Sequence, residues 1–114
     1  MEKESIYKPV ITVRVRKNKV FFGPGVYMLL KELENSSNMK SVAETCKISY
    51  SKSWKILNNA KYELGYDLIK RSKGGKNGGA CAISDEGKRW IEQYEKIVKS
   101  IDEYSRQLFS EVLE

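Results

Sequence analysis

The stretch from Leu64 to Ser84, LGYDLIKRSKGGKNGGACAIS, limits the fold more than any other part of this chain. Two short segments with alternating apolar residues flank the tip Lys73-Gly74-Gly75-Lys76-Asn77-Gly78-Gly79. Alternation at period two is a strand signal, and glycine frees the backbone for a tight connection. The stretch therefore predicts a β-hairpin, spanning 66–84, with a basic finger. It is not a nucleotide-phosphate loop, because it lacks the GxxxxGK[ST] spacing and leads into a strand rather than a helix. A plain turn would not need Lys70, Arg71, Lys73 and Lys76 gathered around it. Glycine lets backbone amides approach phosphates closely, and the lysines add long-range attraction.

Immediately upstream, the pattern reads as helix, tight turn, helix. The first of the pair is short, about Met39 to Cys46, with Val42 and Ala43 inward; Ala43 is small where two helices must approach. A serine of the Asn35-Ser36-Ser37-Asn38 run, or Asn38 itself, could cap it. Lys47-Ile48-Ser49 forms the turn, with Ile48 buried and Ser49 as N-cap of a helix from about Tyr50 to Leu64 that Gly65 stops. That helix buries Trp54, Leu57, Leu64 and either Ala60 or the stem of Lys61. Its other face carries Ser51, Lys52, Lys55, Asn58 and Asn59. No acidic residue lies between Lys47 and Tyr62, so the face does not repel phosphate. In a helix-turn-helix, the first turns of the second helix enter the major groove. Tyr50, Ser51, Lys52 and Lys55 occupy that place.

The rest of the chain frames this unit. Val10 to Arg16 alternates with β-branched residues and predicts a half-buried strand, Lys17-Asn18-Lys19 a turn, and Val20-Phe21-Phe22 a short return strand. Gly23-Pro24-Gly25 opens a helix whose buried stripe is Val26, Leu29, Leu30 and Leu33. After the basic hairpin, Ser84-Asp85-Glu86 caps a helix running to about Leu113. Its stripe of Ile91, Tyr94, Val98, Ile101, Leu108 and Val112 is interrupted only by Ser105. A helix of that length is long for so small a domain, which assigns the stripe to dimerisation. The alternative is that it folds back on the N-terminal hairpin.

Charge placement fits a polyanion-binding body. The chain of 114 residues has a net charge of +6, with 16 Lys and Arg against 7 Asp and Glu in residues 1–83, and 5 against 8 in residues 84–114. No signal-peptide core or membrane-length apolar run is evident, so the expected location is the cytoplasm. Cys46 and Cys81 are the two cysteines and histidine is absent, which leaves too few ligands for a structural zinc site. Both thiols read as small core or turn residues of a reducing compartment. With no nucleophile–base pair and no metal set, an enzyme is not expected.

Three runs together resemble the DNA-binding domain of the molybdate-responsive regulators of the ModE type, a LysR-like winged helix-turn-helix. They are FFGPGVYMLLKELE, SVAETCKISYSKSWKILNNA and LGYDLIKRSKGGKNGGACAISDEGKRWIEQYE, within residues 10–100. The resemblance implies a homodimer on palindromic operators near genes for molybdate uptake or molybdenum enzymes. It implicates Ser49, Tyr50, Ser51, Lys52 and Lys55 in base and phosphate recognition, and Lys73, Gly74, Gly75, Lys76, Asn77, Gly78 and Gly79 in a wing. Lys47 departs from the glycine such turns often hold; in a left-handed conformation this costs up to ~1 kcal/mol. Full-length members carry molybdate-binding domains that have no counterpart in this sequence, so molybdate is not expected to bind this chain, and no cofactor is expected.

The combined expectation is a mainly α protein with small β elements (α+β). Residues 1–83 form a winged helix-turn-helix with an N-terminal hairpin, and residues 84–114 a dimerisation helix. The expected partner is double-stranded DNA, with no membrane. The alternative function is a protein–protein interaction module that docks through the C-terminal helix and binds DNA only non-specifically.

Overall fold

The computed structural model describes residues 6–72 and 80–113. In chain order the elements are β1 (Val15–Arg16), β2 (Val20–Phe22), α1 (Pro24–Glu32), α2 (Met39–Cys46), α3 (Tyr50–Leu64), β3 (Ile69–Arg71), β4 (Cys81–Ile83) and α4 (Asp85–Leu113). The class is α+β, with a hairpin at the start and a long helix at the end.

The predicted strand from Val10 to Arg16 is a correction: only Val15 and Arg16 pair. Their partner β2 has three residues, and the register slips between Val15↔Phe22 and Arg16↔Val20, so the ladder has no rungs left for residues 10–14. Val10 is 96% exposed. The alternation was still informative, since Val13 packs against the core beside the paired Val15 without extending the sheet.

Helix boundaries follow their local chemistry. Pro24 sits in the first turn of α1, where its missing N–H is no loss. Asn38, rather than a serine, caps α2 by accepting from the amides of Lys40 and Ser41. At the other end of α2, Lys47 adopts φ 57° and ψ 38°. Its N–H donates to the Glu44 carbonyl and that of Ile48 to the Ala43 carbonyl, which is the Schellman pairing. Ser49 then caps α3 by accepting from the Lys52 amide at 3.1 Å. Gly65, at φ 84°, ends α3 with its N–H on the Lys61 carbonyl.

The core collects the predicted stripe of α1, with Val26, Leu29, Leu30 and Leu33 all buried. Phe21 and Phe22 of β2 join Met39 and Val42 of α2, Leu57 and Ala60 of α3, and Ile69, Cys81 and Ile83 of the second hairpin. The first turns of α4 close it. Phe22 stacks on Trp90 at 5.2 Å between ring centroids and leans on Tyr94 at 5.0 Å, while Phe21 meets Trp90 edge-on at 5.4 Å. Tyr94 donates its hydroxyl to the Val13 carbonyl at 2.8 Å, holding the N-terminal segment along α4.

Two contacts fix the β3–β4 hairpin, whose register is Ile69↔Ile83, Lys70↔Ala82 and Arg71↔Cys81. The Cys81 amide donates to the Ser37 carbonyl at 2.7 Å, tying β4 to the connection between α1 and α2. On the other side, α4 starts directly against the chain entering β3. Ser84 accepts from the Gly87 amide and donates to the Asp67 carbonyl. A Cβ at Gly87 would lie 2.2 Å from the Leu68 carbonyl oxygen, so only glycine allows this approach.

Candidate nucleic-acid interface

α3 presents the expected face. Leu57 and Ala60 point inward, which resolves the choice between Ala60 and Lys61. Lys61 is instead exposed and pairs with Asp67 at 3.3 Å. Ser53 is fully buried, its hydroxyl donating to the Ser49 carbonyl at 2.9 Å, so this polar residue belongs to the inner side. Ser49, Tyr50, Ser51, Lys52 and Lys55 are all exposed. Asn58 joins them, whereas half-buried Asn59 donates its amide to the Val20 carbonyl at 3.2 Å and is engaged with the first hairpin. The first carboxylate of α3 is Glu63, which is 4% exposed and accepts from the Lys19 amide. It is turned away from the exposed lysines and serves the fold.

The hairpin root is ordered beside this helix. Beyond the Arg71↔Cys81 pair, the Ser72 amide donates to the Ala80 carbonyl at 2.9 Å, and the Ala80 amide to the Ser72 hydroxyl at 3.1 Å. Lys70 and Arg71 are exposed here. Lys73, Gly74, Gly75, Lys76, Asn77, Gly78 and Gly79, the wing tip of the sequence reading, lie outside the described residues.

Sequence reasoning missed one connection. Trp54 was expected in the core, but it is only half-buried and forms the middle of a stack. Tyr50 meets it edge-on with centroids 6.3 Å apart and planes at 89°, and the Arg71 guanidinium carbon lies 3.6 Å from its ring centroid. A signal existed. Strand alternation puts Arg71 on the same sheet face as buried Ile69, the face turned to the helices.

The stripe on α4 divides in two. Ile91 and Tyr94 are 4% and 6% exposed within their own chain, so their side chains are spent on the core. Val98 is half-buried and borders a groove lined by Ile11, Val13, Tyr27, Tyr94 and Ile101. The fold-back alternative thus describes the inner half of the stripe. Ile101, Leu108 and Val112 remain exposed, joined by Ile97 and Tyr104. Ser105, the polar interruption, is buried and satisfies its hydroxyl on the Asp102 carbonyl at 2.9 Å.

Burial pushes up the thiols of Cys46 and Cys81, with Arg71 opposing the shift at Cys81. Both cysteines are free and buried. Among the described residues no cluster of three or more His, Cys, Asp or Glu could hold a metal ion, and no helix is long and apolar enough to cross a membrane.

No family model matches the chain. Its similarity to curated proteins is more specific. The transcriptional regulator ModE of Haemophilus influenzae is 26% identical over 91 residues, covering 80% of this chain and 35% of that protein. The DNA-binding transcriptional dual regulator ModE of Escherichia coli K12 is 28% identical over 90 residues, covering 79% of this chain and 34% of that protein. This chain is similar to the ModE transcriptional regulators. A third ModE regulator, from Yersinia pestis, is 27% identical over 86 residues, 75% of this chain and 32% of that protein. The chain spans about a third of the length of the ModE proteins it matches. These relatives are named as regulators of transcription rather than as enzymes.

Proposed function

We propose that this chain is a ModE-type transcriptional regulator that binds double-stranded DNA in a sequence-specific way. One observation carries the reading. The second helix of a tightly turned helix pair exposes Tyr50, Ser51, Lys52 and Lys55, with its first carboxylate buried, beside a hairpin rooted in Lys70 and Arg71. The similarity to proteins named as DNA-binding regulators supports it.

In this reading the start of α3 enters the major groove. Tyr50, Ser51 and Lys52 face base edges, while Ser49, which also caps the helix, and Lys55 lie close enough for backbone phosphates. The β3–β4 hairpin acts as the wing, and Lys73, Gly74, Gly75, Lys76, Asn77, Gly78 and Gly79 supply phosphate contacts at its tip. Residues 1–83 are the DNA-reading part. Residues 84–114 carry the dimer contact, made by the exposed Ile101, Leu108 and Val112 with Val98 at its inner border. A twofold dimer then reads a palindromic operator with half-sites about 34 Å apart. The operators lie near genes of molybdate uptake or molybdenum enzymes.

Selection of bound duplexes from a random pool tests the reading. A palindromic consensus is expected, with affinity that falls steeply as salt rises. Lys52→Ala or Tyr50→Ala should relax sequence preference, whereas Lys76→Ala should weaken all duplexes alike. Equal losses on selected and random DNA for all three variants would refute the division of roles. Binding without any sequence enrichment would favour an interaction module that docks through α4.

A further inference from the structure

Arg71 occupies an unusual position for a cation at the base of a wing. It is in the last residue of β3, one residue before the Ser72–Ala80 closure that leads to the tip. Its guanidinium is nevertheless laid on a ring of α3, with the central carbon 3.6 Å from the Trp54 centroid. The ring is itself held in place. Trp54 packs against the hydrophobic core on one side, and Tyr50, one helical turn earlier, closes against it edge-on. Across the strand pair, Cys81 is fastened through its amide to the Ser37 carbonyl. The hairpin root is therefore gripped at two points, one on the α1–α2 connection and one on α3.

We propose that Arg71 and Trp54 are positioning residues that set the wing at a fixed angle to α3, so that both reach the same duplex in one register. This role rests on the DNA-binding reading above. The stack uses the face of the guanidinium, fixes the plane in which its N–H edge lies, and orders the root before DNA arrives. Arg71 thus differs from the lysines around it. Their contribution is charge, whereas that of Arg71 is geometry. Tyr50 is drawn into the same unit, because its ring leans on the ring that Arg71 covers. A residue facing base edges and the base of the wing are then mechanically linked through Trp54.

The test uses the full chain with a duplex taken from the selected pool and a random duplex of equal length. Affinity is measured across a salt series for the wild type, Arg71→Lys, Arg71→Gln, Trp54→Phe, Trp54→Leu and the double variant Arg71→Gln/Trp54→Leu. Arg71 is exposed and makes this one ring contact, so its variants should still fold and melt cooperatively. Positioning predicts that Arg71→Gln weakens the selected duplex by roughly two- to fivefold, the scale of an exposed cation–π contact. Arg71→Lys should lose part of this despite keeping its charge. The slope of log affinity against log salt should not change for either. Trp54→Phe, which keeps a ring under the guanidinium, should lose less than Trp54→Leu, and the double variant should be no worse than the weaker single variant.

Wild-type affinity in Arg71→Lys, together with a slope smaller by about 0.9 in Arg71→Gln, would overturn the role, because it would make Arg71 a phosphate contact. Unchanged affinity in both Arg71 variants would overturn it as well, while leaving the DNA-binding reading intact. A wild-type chain that binds no duplex would overturn the DNA-binding reading, and this role with it.

Discussion

Substituting Gly87 by alanine sets two effects of opposite sign against each other. Within a helix, alanine is favoured over glycine by about 1 kcal/mol on propensity alone. The position, however, faces the carbonyl of Leu68, and a Cβ there would lie 2.2 Å from its oxygen and 2.7 Å from Cγ2 of Ile83. An optimal non-bonded separation is roughly 3.5 Å, so the oxygen would be more than ~1 Å too close. It belongs to backbone that also accepts from the Ser84 amide at 3.0 Å, and it cannot rotate away as a side chain can. The helix must recede from the hairpin, and overpacking of this kind costs about 1–3 kcal/mol, more where backbone has to move. Set against the ~1 kcal/mol gain, the net loss is up to about 2 kcal/mol, and more where the backbone has to move. For a domain of this size that lowers Tm by roughly 4–8 °C per kcal/mol. Thermal and urea unfolding followed by circular dichroism measure it, with Gly25→Ala as control. A Cβ at Gly25 meets only the flexible end of Ile56 at 3.4 Å, so that variant should be neutral or slightly stabilising. A Gly87→Ala protein that melts at or above the wild type would refute the close-approach argument.

Other perturbations follow from single residues. Lys47→Gly should stabilise by up to ~1 kcal/mol in urea unfolding, because a lysine now holds the left-handed position at φ 57°; a loss of stability would mean its side chain packs productively. Glu63→Ala strands the Lys19 amide and removes a buried side chain, at about 1–3 kcal/mol, whereas Glu63→Gln keeps an acceptor and should recover much of it. The Tyr27 hydroxyl, which donates to Glu95 at 2.5 Å, has its pKa pushed up to about 12, chiefly by that bond and then by burial. Its pKa in the unfolded chain is near 10, so its contribution to stability is complete below pH 10 and disappears as pH rises through 12. Unfolding curves across that window should steepen this decline in the wild type relative to Tyr27→Phe.

The parts legible in the sequence were those set by local rules. Ser49 caps because a short polar side chain precedes a helical pattern, Gly65 stops α3 because a left-handed residue is needed there, and the cap of α2 was narrowed to the Ser36-Ser37-Asn38 run, of which the fold uses Asn38. The buried stripe of α1 followed from spacing alone. What failed depended on partners that spacing cannot show. Val10 to Arg14 alternates correctly for a strand, yet β2 is too short to pair with it. Ile91 and Tyr94 belong to a regular apolar stripe, but only the fold reveals that their end of α4 lies on Phe22 and the N-terminal segment. Glu63 and Ser53 look like surface residues and are buried because each finds a backbone partner. At the candidate interface, the exposed residues of α3 could be read directly from its polar face. The Arg71–Trp54 stack was legible only by half: alternation sets the face of Arg71, but its partner lies on an element about one helix length away in the sequence.

The bond from the Cys81 amide to the Ser37 carbonyl also governs how the molecule comes apart. A lone two-stranded hairpin is marginal in water and opens by itself. Here β4 cannot peel away without disturbing the connection that fixes α1 to α2, and the Cys81 side chain leaves the core as it goes. Deuterium should therefore reach the Cys81 amide at nearly the rate of global opening, making the hairpin and the three helices one cooperative unit. The same bond seals part of an outer strand edge. A foreign strand seeking donors along β4 finds this one already occupied, which blunts a site where chains of this kind would otherwise aggregate.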